Sequence, residues 1–206
     1  MMAKSLTQQV WDFFGIPFRL GFMPQPLLPR FGWTTLEEER LSCVLPYVRG
    51  RLLDVGAGHN NLVRRYRGPG VGVDVFDWSG GVWLIEDAAR LPFADQSFDT
   101  ISFVACLNHI PNREAALREA FRLMKPGGRL LVTMIDPIIG AVGHRYLWRH
   151  GEHHQRGGMK EGEKEGLWTH RIIEICTAAG FKLHLHHRFV YKLNNFYWFE
   201  RENGAT

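Results

Sequence analysis

The sequence predicts an α/β fold: a doubly wound, mostly parallel sheet of seven strands with helices on both faces, three layers in all. Three observations predict it. Short continuous apolar runs (LLDV, VGVDV, FDTISFV) alternate with helical patterns such as AALREAFRLM, as in a parallel sheet buried on both faces. The first run ends in Asp54 and breaks into a Gly56-x-Gly58 turn, and later runs deliver Asp74 and Asp87 to the same end of the sheet. An open parallel sheet binds adenine-containing cofactors at that end. Finally, 206 residues with 45% hydrophobic and 22% charged content suit one globular domain.

Residues 1–33 read as an aromatic arm packing on or capping the domain that spans 34–206. The arm holds Trp11, Phe13, Phe14, Phe18, Phe22 and Phe31, with Pro17, Pro24, Pro26 and Pro29 among them. A short helix near 5–14 is expected, then an extended segment, because proline disfavours helix. The packing arm has two alternatives: a wall of an acceptor pocket, or a segment inserting aromatics at a membrane interface. Thr34 or Thr35 caps a helix to about Val48, with Glu37, Glu38 and Glu39 in its first turn, where the macrodipole favours acids.

Strands follow at 51–55, 71–75, 82–85 and 98–104, with a short helix at 60–66 after the first. A helix at 114–124 ends at Lys125-Pro126-Gly127-Gly128, and a fifth strand covers 129–135. Residues 136–168 break the rhythm and read as a lid-like insertion, glycine-rich and carrying His144, His150, His153 and His154. A helix at 169–179 is closed by Gly180. Two strands, 182–190 and 196–201, complete the chain, with Asn194-Asn195 as the turn between them.

The formal charge of +4 is modest, and Arg64, Arg65 and Arg67 read as a solvated helix face, so no nucleic-acid partner is expected. Cys43, Cys106 and Cys176 lie far apart in apolar surroundings and read as buried free thiols of a reducing compartment. No CxxC pair is present and no metal site is expected, the HGEHH run being read as lid rather than ligand set. No signal-like or membrane-spanning run is seen, which leads to a cytoplasmic expectation. The aromatic arm allows a homodimer.

The glycines have a mechanical reason: a Cβ there would block close approach of backbone to a ligand or forbid the torsions. Asp54 can accept from the turn's amides or from a ligand ammonium through water. Asp74 stands about 20 residues on, where an acid binds ribose hydroxyls. Asp87 can accept from the adenine amine while the Ala88 N–H donates to a ring nitrogen. These segments resemble the class I S-adenosylmethionine (SAM)-dependent methyltransferases of the type 11 domain group, whose fold is Rossmann-like. LLDVGAGHNNL is similar to their first motif, DAARLPFADQSFDTISFV to the block through strand 4, ALREAFRLMKPGGRLLVT to the helix and turn before strand 5, and AAGFKL to the late helix-to-strand junction.

The resemblance implies a methyl transfer from SAM that leaves S-adenosylhomocysteine. It places Asp54, Gly56, Gly58 and His59 at the methionine end, Asp74 at ribose, Asp87 and Ala88 at adenine, and Val104 beside the cofactor. Asn60 replaces the third glycine, a residue that tolerates left-handed torsions. The link 76–81 is too short for the usual crossover helix, which puts Trp78 at the adenine or ribose edge, with Val75 or Asp77 as the adjoining contact. A dinucleotide fingerprint would need a third glycine where Asn61 stands, which disfavours a nicotinamide oxidoreductase. The remaining alternative is a SAM-binding module without turnover. His109, after strand 4, is the candidate base, and the expected acceptor is a small or medium molecule with an O- or N-nucleophile rather than carbon.

Overall fold

The computed structural model describes residues 4–78, 81–142 and 161–202. Its centre is a seven-stranded sheet of β1 (Leu52–Val55), β2 (Gly70–Asp74), β3 (Trp83–Leu84), β4 (Phe98–Val104), β5 (Met124–Ile135), β6 (Phe181–Phe189) and β7 (Asn194–Arg201). The strand order is β3-β2-β1-β4-β5-β7-β6, and only β7 runs antiparallel to its neighbours. Leu53 of β1 sits opposite Val71 on one side and Ile101 on the other. The order reverses direction between β1 and β4, so a crevice opens beyond their carboxyl ends.

Side chains alternate across a strand, and the core follows that alternation. Leu53, Ile101, Phe103, Leu130 and Val132 face α4 (Arg113–Leu123) and α6 (Thr169–Ala178), meeting Leu117, Ala120, Ile172 and Cys176. Leu52, Leu131 and Phe196 face the other way, against Leu41 and Val44 of α2 (Leu36–Val44) and Leu62 of α3 (Asn61–Arg65). A fifth helix, α5 (Pro137–Val142), follows β5. Central strands are therefore buried on both faces, which is why they read as unbroken apolar runs.

Thr35 caps α2 by accepting from Glu38 N at 3.1 Å. The helix stops before Pro46, and Leu45–Tyr47 is a 3-10 turn rather than a continuation to Val48. Lys125–Gly128 lies within β5 as an irregularity in its pairing with β4, where Gly127 takes φ +69°.

The arm differs from the extended expectation. After α1 (Leu6–Phe14), Phe18–Phe22 is a π-helical turn and Gln25–Phe31 a 3-10 helix. Proline's fixed φ suits the first turn of such helices, and Pro17 and Pro26 stand there. The turn between β6 and β7 also differs. It is Val190-Tyr191-Lys192, all at positive φ, while Asn194 and Asn195 are buried in β7. Asn195 donates to Asp136 at 3.0 Å and to Met134 O at 3.3 Å, and these internal partners override its turn preference. Cys43 and Cys176 are buried thiols, but Cys106 is half-exposed on the wall of the crevice. His144, His150, His153 and His154 lie outside the described residues. His170 is exposed, and among the described residues no three metal-ligating side chains converge.

Candidate active site

The crevice at the carboxyl edge is a cavity of about 970 Å³. That is near the top of the range for small-molecule sites, with room for two ligands. Asp54, Gly56, Gly58, His59 and Asp74 line it, as do Val75, Asp87, Ala88, Val104 and His109. All ten residues singled out from the sequence thus border one space.

The turn after β1 explains the first group. Gly56 takes φ +69°, and a Cβ on it would lie 2.6 Å from Cys106 Cβ. Gly58 takes φ +53°, and a Cβ there would meet nothing within 4 Å, so its backbone faces open cavity. Asn60 adopts φ 60°, the left-handed torsion its side chain tolerates, and α3 starts from it. Asp74 holds the turn: its carboxylate accepts from Gly58 N at 2.8 Å and Phe76 N at 3.1 Å. A carboxylate has about four acceptor positions, so two remain for ligand hydroxyls. Asp87 accepts from Ala89 N at 2.8 Å, which opens the turn holding Ala88 at the cavity. Trp78 packs its ring 6.0 Å from His59 and 4.7 Å from Phe76, forming an aromatic wall across the short link.

Asp54 is 2% exposed and accepts from Ser102 Oγ at 2.6 Å. Burial pushes its carboxyl up to about 7, the Ser102 bond opposes this, and the neighbouring charge of Asp74 adds to it. Two carboxylates pressed together in low dielectric favour a cationic ligand. The donors of SAM match this acceptor set: an ammonium, ribose hydroxyls and an adenine amine. With Gly58 leaving the turn open, the residues fit that cofactor. A carboxyl raised in the folded state stabilises while protonated. Its contribution is full below the ordinary value of 3.8 and is lost as pH rises through about 7. In the ligand-free protein, Asp54→Asn should therefore flatten the fall in stability across that window, as read from urea midpoints. Parallel pH profiles for both proteins would show that Asp54 is not the cause.

The opposite wall comes from the arm and from the segment read as a lid, although its particular residues were not singled out from the sequence. Pro24, Pro26 and Pro29 from the arm, Arg40 from α2 and Glu163 complete the cavity. His109 ends a 3-10 turn, Leu107–His109, and its Nδ1 lies 3.4 Å from Glu163 Oε2. Glu163 is 2% exposed in its side chain, and His109 is 14% exposed. Asn108 Nδ2 lies 3.0 Å from His109 Nε2 and donates to Lys164 O at 2.9 Å. An amide N–H facing Nε2 assigns the lone pair to that atom and the proton to Nδ1, toward Glu163. Lys164 N returns a bond to Asn108 O at 2.8 Å, and Arg113 donates to Gly162 O at 2.5 Å. Residues 161–166 are thereby clamped over the loop after β4.

Residues 53–132 match the family model described as a methyltransferase domain. With the strand order above, this part of the chain is similar to methyltransferase domains. Over 125 residues the chain is 34% identical to the ubiquinone/menaquinone biosynthesis C-methyltransferase UbiE of Dinoroseobacter shibae, covering 50% of this chain and 49% of that one. The chain spans about half the length of that curated relative and 30% of another, a demethylmenaquinone methyltransferase of Corynebacterium glutamicum, to which it is 41% identical over 70 residues covering 32% of this chain. Among solved structures, a SAM-dependent methyltransferase from Thermotoga maritima, described as a possible histamine N-methyltransferase, superposes with TM-score 0.61 at 19% identity, covering 95% of this chain and 98% of that one. At that identity it speaks for the fold alone.

Proposed function

We propose that this chain is a SAM-dependent methyltransferase acting on a small or medium acceptor whose ionisable O–H or N–H is presented to His109. One observation carries the reading: the acids and glycines of the sheet edge and the His109–Glu163 pair border a single cavity. When bound, SAM supplies a methyl group on a positively charged sulfur, already activated toward nucleophiles.

The chain's own residues supply position and proton handling. Asp54 and His59 hold the amino-acid end, Asp74 and Val75 the ribose, and Asp87 with the Ala88 N–H the adenine. Val104 packs beside the cofactor. Glu163 holds the ring in the tautomer that puts the lone pair on Nε2, and His109 Nε2 takes the acceptor's proton when the acceptor displaces the Asn108 amide from that atom. The prolines of the arm and the clamped 161–166 segment keep water from the reacting atoms. The relative's name, a C-methyltransferase, brings carbon into consideration. In a hydroxylated aromatic ring, the charge left by deprotonation is shared between oxygen and the adjacent ring carbon. The same base therefore prepares either atom.

The test uses methyl-labelled cofactor with a panel of phenols, hydroquinones and amines. His109→Ala should lower turnover by roughly 10²–10⁴-fold, the usual contribution of a general base, with cofactor affinity retained. Glu163→Gln should lower turnover less and displace the rising limb of its pH profile. Unchanged turnover in His109→Ala would remove the base from the mechanism. Cofactor affinity without transfer to any acceptor would favour the binding module.

A further inference from the structure

The outward face of the arm is not explained by the cavity. α1 is turned inside out. Asp12 is its fully buried residue, whereas Leu6, Val10, Phe13 and Phe14 are 76, 48, 54 and 69% exposed. Soluble helices place these types the other way round. Phe18 and Phe22 extend the face, 43 and 71% exposed. The inversion is enforced from inside: Asp12 takes Lys4 at 2.6 Å and both Thr34 N and Oγ1 at 2.9 and 2.8 Å, while Arg19 reaches Glu39 and Thr34 O. With Asp12 and Gln8 held inward, Leu6, Val10, Phe13 and Phe14 are left pointing out, with Thr7 and Gln9 exposed beside them.

We propose that this face docks the protein on an anionic lipid surface. The chemistry of the patch separates a lipid from a protein partner. Leu6, Val10, Phe13, Phe14, Phe18 and Phe22 carry no polar side-chain atom. The nearby polar groups are engaged internally: Trp11 Nε1 donates to Phe31 O at 2.9 Å and Tyr191 Oη to Gln9 O at 2.8 Å. Protein interfaces need about one hydrogen bond per 100–200 Å², and a hydrocarbon layer needs none. The exposed charge that the arm itself carries has one sign. Between residues 4 and 36 the only acid is the internal Asp12, while Arg30 is exposed. Lys192 is also exposed, next to Tyr191, whose ring lies 5.4 Å from Phe13. Cations flanking inserted aromatics suit anionic headgroups. The patch also adjoins the cavity: Pro24, Pro26 and Pro29, which line it, lie between exposed Phe22 and Phe31. A lipid-soluble acceptor would pass from the bilayer into the cavity without crossing water.

The proposal is tested by cosedimentation of the full chain with vesicles of phosphatidylcholine alone and of equal parts phosphatidylcholine and phosphatidylglycerol. The bound fraction should be larger on the anionic vesicles. The double variant Phe14→Ser with Phe22→Ser should lower the bound-to-free ratio roughly tenfold or more. Leu84→Ser, which removes an apolar side chain 55% exposed on β3, should leave it unchanged. Arg30→Glu with Lys192→Glu should abolish the preference for anionic vesicles. Matching circular dichroism and melting curves establish that the variants fold. No vesicle binding by the wild type, or equal binding by the phenylalanine variant, would overturn the proposal. So would a sedimenting dimer that the phenylalanine variant dissociates while vesicle binding is absent, since the face would then join two copies.

Discussion

Replacing Asp74 by alanine is expected to weaken SAM binding by roughly 10²-fold or more, the largest effect on affinity of any single change in the site. Two contributions add. In the proposed pose the carboxylate accepts from ribose hydroxyls, and a hydrogen bond to a charged group contributes about 1.5–3 kcal/mol. A loss of about 2.7 kcal/mol is a hundredfold in affinity. The same carboxylate also holds Gly58 N and Phe76 N, so its removal loosens the glycine turn and the link carrying Trp78. Asp74→Asn keeps one acceptor oxygen and should fall between the two proteins. Calorimetric titration reads all three, and an unchanged affinity in Asp74→Ala would remove the ribose contact from the account.

The second large effect is on the arm. Asp12→Ala should release it, because Lys4 and Thr34 lose their shared acceptor and Arg19, 1% exposed, loses a neighbouring charge. Burial alone would raise the Asp12 carboxyl. The donations from Lys4 and Thr34 and the charge of Arg19 outweigh it and hold the group below the usual range. Breaking a buried charged network by removing one member costs about 3–5 kcal/mol. Arg19 keeps Glu39 and two carbonyls, which favours the lower end. About 3 kcal/mol is roughly 10²-fold in the open population, so tryptic cleavage after Arg19 and Arg30 should accelerate by that factor while opening remains faster than cutting. Cleavage at the wild-type rate would mean that the network does not hold the arm.

The sheet and the cofactor side of the cavity were legible because each strand announces itself locally. LLDV and FDTISFV are buried on both faces, and the acid or glycine at each end is fixed by where the strand stops. On the acceptor side the arm and the lid segment were legible as candidate walls, but their individual residues were not, since distant contacts make them into a site. Glu163 sits in a run of charges within the segment read as a lid, and its approach to His109, 54 positions away, is a contact that the run itself does not announce. The arm's prolines suggested extended chain, yet a proline's φ also suits the first turn of a helix, where Pro17 and Pro26 stand. Asn194 and Asn195 look like a turn and are strand, with Asn195 held by Asp136. The actual turn at Val190-Tyr191-Lys192 uses positive φ at residues that rarely accept it, one of them β-branched. Tyr191, packed against Phe13 and bonded to Gln9 O, supplies contacts that help hold it.

Everything proposed for the chemistry depends on the cavity beyond β1 and β4 binding SAM. The most direct measurement is calorimetric titration of the purified protein with SAM and with S-adenosylhomocysteine, with NAD as the control. One site is expected for each SAM-type ligand, with a dissociation constant of roughly micromolar order, and no heat from NAD. Binding of NAD alone, or of none of the three, would contradict this expectation.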